Sequence, residues 1–153
     1  MRAPRPIRAH MVLCLLGFRG EGYSTDFVEE LHKVHVDLAD HPGQLLELTT
    51  SPDAICGACP NLAGADLAES GCTLGGPDHE AHMRAQDEDV LGRLGLEAGA
   101  TVSWTDLRAI ISTRIRGKDL DSICTTCPWL ELGYCAEGVD ALRPTPSHGA
   151  PPP

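Results

Sequence analysis

Apolar residues recur at helical spacing in three stretches of the chain, with shorter apolar runs between them. Phe27, Leu31, Val34 and Leu38 fall four, three and four residues apart, which lines one face of a helix. Ser24 precedes them as an N-cap. Asp40-His-Pro-Gly43 stops the run, because Pro42 drives His41 out of helical backbone. The spacing predicts a helix over 25–39. Leu107, Ile110, Ile111 and Ile115 mark another over 104–116, capped by Ser103 and broken by Gly117. A third is expected over 78–94. There Val90, Leu91 and Leu94 pack inward, Gly95 closes the helix, and Asp78, Glu80, Asp87, Glu88 and Asp89 form its solvent side.

The connecting elements are shorter. Residues 10–18 form a buried apolar segment read as helix, followed by a turn through Gly17, Gly20 and Gly22. Leu45 to Thr50 reads as a strand, and Lys118 to Ile123 as a helical turn. Residues 60–77 are small and Gly-rich, as expected of a loop draped around a site. Residues 1–9, with two prolines and three arginines, read as a flexible lead-in; 143–153, with five prolines, read as a disordered tail. The expected product is one small, mainly helical α+β domain over 10–142.

Composition sharpens this. Aromatic residues are 4% of the 153, so the core rests on aliphatic side chains and gains from a metal staple. A net charge of −10 argues against nucleic acid and anionic membrane surfaces, and suits a basic protein partner. No apolar run approaches the roughly 18 residues of a membrane helix. Arg2, Arg5 and Arg8 before Met11-Val-Leu-Cys-Leu-Leu16 imitate an export signal. The run is short, however, and Arg19 and Glu21 follow without a small-residue cleavage site. The seven cysteines cannot all pair as disulfides. A reducing cytoplasm is expected, where such cysteines bind metal or do redox work.

One phrase occurs twice: Asp53-Ala-Ile-Cys56-Gly-Ala-Cys59-Pro60 and Asp121-Ser-Ile-Cys124-Thr-Thr-Cys127-Pro128. Each has one cysteine further on, Cys72 and Cys135. Two residues between cysteines let a tight turn aim both sulfurs at one centre, the spacing of zinc and iron–sulfur sites. Thiolates select zinc, copper(I) or iron–sulfur iron. The Cys-Pro steps at Pro60 and Pro128 favour iron–sulfur, since such a step occurs in ferredoxin runs. Three cysteines per copy leave each one ligand short. Cys14 offers a fourth thiolate to one copy, and His10, one helical turn earlier, a nitrogen to the other; a cysteine in an apolar run also serves as plain packing. Asp53 and Asp121 are expected to accept backbone hydrogen bonds that shape the two turns, and Trp129 to shield the second. The spaced pairs His32–His35 and His79–His82 read as solvated helix faces.

Three stretches together resemble the DUF1284 family of bacterial and archaeal proteins: Arg8 to Ser24, Asp53 to Asn61, and Ile123 to Gly138. The resemblance spans about residues 8 to 140. It implies iron–sulfur binding with no established activity, and adds weight to His10 and Cys14. Members often carry two adjacent histidines where this chain has His10-Met11. The reading is an iron–sulfur protein, a 4Fe–4S cluster favoured, in electron transfer or redox sensing with a redox or protein partner. Its ligands would come from Cys14, Cys56, Cys59, Cys72, Cys124, Cys127, Cys135 and His10. Two alternatives stand beside it: a zinc-stabilised interaction module, and an enzyme whose cluster, bound by three cysteines, leaves one iron open as a Lewis acid.

Overall fold

The computed structural model describes residues 2–60, 62–63, 71–73, 76 and 79–143. In chain order it comprises β1 (Arg5–Arg8), α1 (Met11–Gly17), α2 (Thr25–Asp40), β2 (Leu45–Thr49), α3 (Ala54–Gly57), β3 (Leu62–Ala63) and β4 (Gly71–Cys72). Then follow α4 (His79–Leu94), β5 (Thr101–Ser103), α5 (Trp104–Arg114), α6 (Leu120–Ile123) and α7 (Tyr134–Asp140), with 3-10 turns at Gly117–Asp119 and Leu130–Leu132. The class is α+β and mainly helical, in one small domain.

The amphipathic stretches fold as their spacing predicts. The Ser24 hydroxyl accepts from the Phe27 amide at 3.1 Å, and Phe27, Leu31, Val34 and Leu38 are all buried. Ser103 caps α5 in the same way, accepting from Asp106 at 3.1 Å. That helix buries Trp104, Leu107 and Ile111, leaves Ile110 half-buried, and ends at Arg114. The apolar run at 11–17 is indeed a helix, with Val12, Leu13 and Leu15 in the core. No helix among the described residues is long and apolar enough to cross a membrane.

Three strands form the sheet in the order β1-β2-β5. β1 runs parallel to β2, with Arg5 opposite Leu46 and Arg8 opposite Thr49; β5 is antiparallel on the other side. This corrects the flexible lead-in expected over 1–9. Residues 5–8 are an edge strand with Ile7 and Arg8 each 1% exposed. An edge tolerates Pro6, because the missing N–H costs no bond in the ladder.

Two further expectations change. Asp87 is not on the solvent side of α4 but fully buried, and the Glu80 side chain is only 16% exposed. Both turn inward because Arg8 is there to pair with them. The loop expected over 60–77 contains a small antiparallel ribbon, with Leu62 opposite Cys72. Its residues 61, 64–70, 74–75 and 77–78 lie outside the described residues, as does the tail over 144–153, and Asp78 with them.

Candidate metal centre

The two cysteine phrases make the same turn. The Cys59 amide donates to the Cys56 carbonyl at 2.9 Å, and Cys127 to Cys124 at 3.0 Å. Three residues on, Leu62 donates to Cys59 and Leu130 to Cys127, both at 3.2 Å. What surrounds the two turns differs.

The second turn is set into the apolar core. Cys124 caps the C-terminal end of α6 and is itself buried. Helices α1 and α7 press together beside it. A Cβ on Gly17 would collide with the Cys135 backbone, and one on Gly138 with the Leu16 carbonyl, so only glycine permits the approach. The approach brings the Cys14 thiol onto Cys135. Cys14 donates to Cys135, and that bond and then partial burial push it well above the ordinary thiol range; Cys135, accepting the bond, is lowered. Burial, then the neighbouring Cys127 and Cys135, push Cys124 up to about 12. Cys127 is also raised by burial, with the Trp129 and Leu130 amides pulling it back. Cys14, Cys124, Cys127 and Cys135 thus lie within electrostatic reach of one another.

The first turn hangs on a buried ionic network centred on Arg8. Its backbone N–H donates to Asp53 at 2.8 Å, and the other Asp53 oxygen caps α3 by accepting from Cys56 at 2.9 Å. Its guanidinium grips Glu80 at 2.7 and 2.9 Å, and Glu80 accepts from the Cys72 amide at 2.9 Å. Its Nε donates to Asp87 at 2.7 Å. The second Asp87 oxygen takes both the backbone amide of His10, at 3.0 Å, and its ring Nδ1, at 2.6 Å. Burial opposes the charge on Asp87, but the His10 bonds and Arg8 outweigh it and hold the carboxyl below its usual range. Glu80 is lowered against burial in the same way, by Arg8 and the Cys72 amide. Burial and then the Asp53 carboxylate push the Cys56 thiol up, with Arg8 pulling it back.

Both halves open on one cavity of about 80 Å³. Cys14, Cys56, Cys59, Cys72, Cys124 and Cys127 line it with His10, and Met11, Phe27, Met83 and Trp129 supply apolar wall. Tyr23 stands between the halves. Burial raises its hydroxyl, followed by Cys127 and Cys14 from one half and Cys59 and Cys72 from the other. Its ring stacks on Trp129 at 4.5 Å between centroids and meets Phe27 edge-on at 5.2 Å.

The donor set fits a thiolate-bound metal group. Among the described residues, which include all seven cysteines, no disulfide forms. Nor are any three His, Cys, Asp or Glu side chains among them drawn tightly enough together to hold a single ion. They ring a space instead. A water molecule occupies roughly 10–15 Å³ on this measure, so the cavity has room for a polyatomic group. Thiols are soft donors of the kind that zinc and iron–sulfur iron accept, and a bound metal strips the thiol proton outright.

All seven cysteines and His10 singled out from the sequence are therefore gathered around one space, Cys135 one step behind Cys14. Trp129, expected to shield the second turn, lines the cavity. Asp53 accepts the backbone bonds expected of it, but its twin Asp121 sits exposed inside α6. His79 and His82 stack, with His79 buried rather than on a solvated face. Arg8, Glu80, Asp87 and Gln86 were missed as site residues. Asp87 had a readable signal: it falls four residues after Met83 and three before Val90, on the apolar stripe of α4. Gln86 donates to the Cys124 sulfur at 3.9 Å, and its phase is readable in the same way, three residues after Met83 and four before Val90.

No curated protein and no solved structure matches the chain. A family match runs over residues 22–133, narrower than the 8–140 resemblance; it takes in both cysteine phrases and leaves His10, Cys14 and Cys135 outside. Covering most of the chain, that match establishes that the protein belongs to DUF1284, a family described as being of unknown function.

Proposed function

We propose that this protein binds iron–sulfur through its cysteines in the shared cavity and works in electron transfer or redox sensing. The observation that carries the reading is convergence: Cys14 from α1, Cys56 from α3, Cys59, Cys72 from β4, and Cys124 and Cys127 around α6 all face one space with apolar walls. Six thiols brought to one space by separate elements suit a shared ligand, and a four-cysteine set is the usual holder of a 2Fe–2S or 4Fe–4S centre. When bound, such a centre supplies one-electron chemistry. The chain's own residues would hold it, bar water and set its potential. Trp129, Tyr23 and Phe27 cover one side, the Trp129 and Leu130 amides point at the Cys127 sulfur, and Gln86 donates to Cys124. Hydrogen bonds to sulfur and exclusion of water are the levers that tune such a centre. Unpaired thiols in this number suit a reducing compartment, the cytoplasm, and the acidic surface suits a basic redox partner.

Anaerobic purification with iron and acid-labile sulfide analysis tests this. The expected protein is brown, absorbs in the visible and bleaches on reduction. Cys124→Ser should lower iron and sulfide together. Colourless protein carrying stoichiometric zinc would overturn the reading.

A further inference from the structure

We propose that the two halves of the centre are chemically different, and that His10 is the non-cysteine ligand completing the set begun by Cys56, Cys59 and Cys72. This rests on the iron–sulfur reading above. With Cys14 hydrogen-bonded to Cys135 beside Cys124 and Cys127, the second half has four thiols of its own. The first half has three.

His10 lines the same cavity as those three. Its Nδ1 is held by Asp87 at 2.6 Å and its backbone by the same oxygen at 3.0 Å. Asp87 is in turn fixed by Arg8 at 2.7 Å, both residues being buried. The ring therefore has one orientation. In the neutral ring that a metal requires, an Nδ1–H donating to the carboxylate leaves the lone pair on Nε2. A histidine that ligates a metal almost always gives its other N–H to a carboxylate or carbonyl in this way. A second observation is independent of the ring. Arg8, which fixes His10 through Asp87, also orders two cysteines of the same set, Cys56 through Asp53 and Cys72 through Glu80.

The consequence is electronic. Neutral imidazole in place of thiolate leaves the first half one negative charge poorer, and histidine for cysteine raises the potential of a cluster. The first half should be the easier to reduce.

The test uses the full chain, purified anaerobically, with and without 15N-labelled histidine. Pulsed EPR of the reduced protein should show a nitrogen coupling that changes with the label and disappears in His10→Ala. An optical redox titration should show two midpoints in the wild type, with the higher one moved down in His10→Cys at unchanged iron content. A cluster signal without histidine coupling in the wild type overturns the proposal with no variant needed. So does a His10→Cys protein whose midpoints do not move. Absence of iron and sulfide from the wild type would instead overturn the parent reading, and this one with it.

Discussion

The two halves of the cavity carry the same five-residue signature and the same turn, yet they are built on opposite principles. Around Cys56 and Cys72 the chain is ordered by charge: Arg8 binds Asp53, Glu80 and Asp87, and each carboxylate passes its order to a site residue. Around Cys124 and Cys135 it is ordered by packing, with two helices in near-contact at Gly17 and Gly138. A repeated motif repeats only its local turn. What aims the turn is set by the surrounding elements, and those were not duplicated with it. Directional hydrogen bonds fix donors in a half that includes an imidazole, whose ring must be turned correctly. Packing serves for thiols, whose sulfur accepts a metal from a wider range of approach.

The sharpest break of this comparison is Asp87→Ala. It leaves Arg8 buried with one carboxylate fewer, and removing one partner of a buried pair costs ~3–5 kcal/mol. Because Glu80 remains, the low end is expected. Chemical denaturation of the anaerobically purified protein measures it. A loss below about 1 kcal/mol would show that the network does not carry the first half. The matching break in the second half is Gly138→Ala, where a methyl forced against the Leu16 carbonyl should cost ~1–3 kcal/mol, the range for overpacking a tight interface. The same variant should prise Cys135 from Cys14 and speed their reaction with a thiol reagent relative to Cys56. Equal acceleration at Cys56 would mean that the halves are not separately built.

The twin aspartates sharpen the contrast. Asp53 caps α3, and loss of an N-cap costs ~1 kcal/mol; its second bond to the Arg8 amide adds to that. Asp121 is exposed within α6, and Asp121→Ala should fall within about 0.5 kcal/mol of neutral. Thermal or urea melts of the two variants side by side decide it. Equal losses would restore the symmetry that the sequence implies.

Much of this was legible. The α2 and α5 helices were readable because each couples a full apolar stripe to a serine cap. The turns were readable because Cys-x-x-Cys constrains its own geometry. The strand over 5–8 was not, since Ile7 is its only apolar side chain facing the core and Arg8 beside it looks like solvent. Asp87 was misplaced because the acidic residues that follow it, Glu88 and Asp89, suggested an exposed face, though its phase along α4 marked it as inward. The meeting of Cys14 and Cys135 depends on an approach of two helices far apart in sequence. Glycines at 17 and 138 permit it, but nothing local says that they face each other.

The smallest effect belongs to the exposed end of the same strand. Asp37 accepts from Arg2 at 2.8 Å and from Arg5 at 2.8 Å, with His41 at 3.3 Å, in a setting open to water. The Arg2 bond, against a small opposing cost of burial, then Arg5, lower its carboxyl below the usual value of 3.8. A carboxyl lowered on folding adds stability above its unfolded value, and that stability is lost as pH falls through the folded one. Asp37→Asn should therefore cost a few tenths of a kcal/mol near neutrality, as exposed pairs do, and the gap to wild type should close below about pH 4. Salt should shrink it as well, because exposed pairs are screened. Asp87 pairs with Arg8 on the same strand but out of reach of solvent, so its loss should respond little to salt. A salt dependence at Asp87 as steep as at Asp37 would mean that water reaches the Arg8 network, and the ordering of the first half by buried charge would fail.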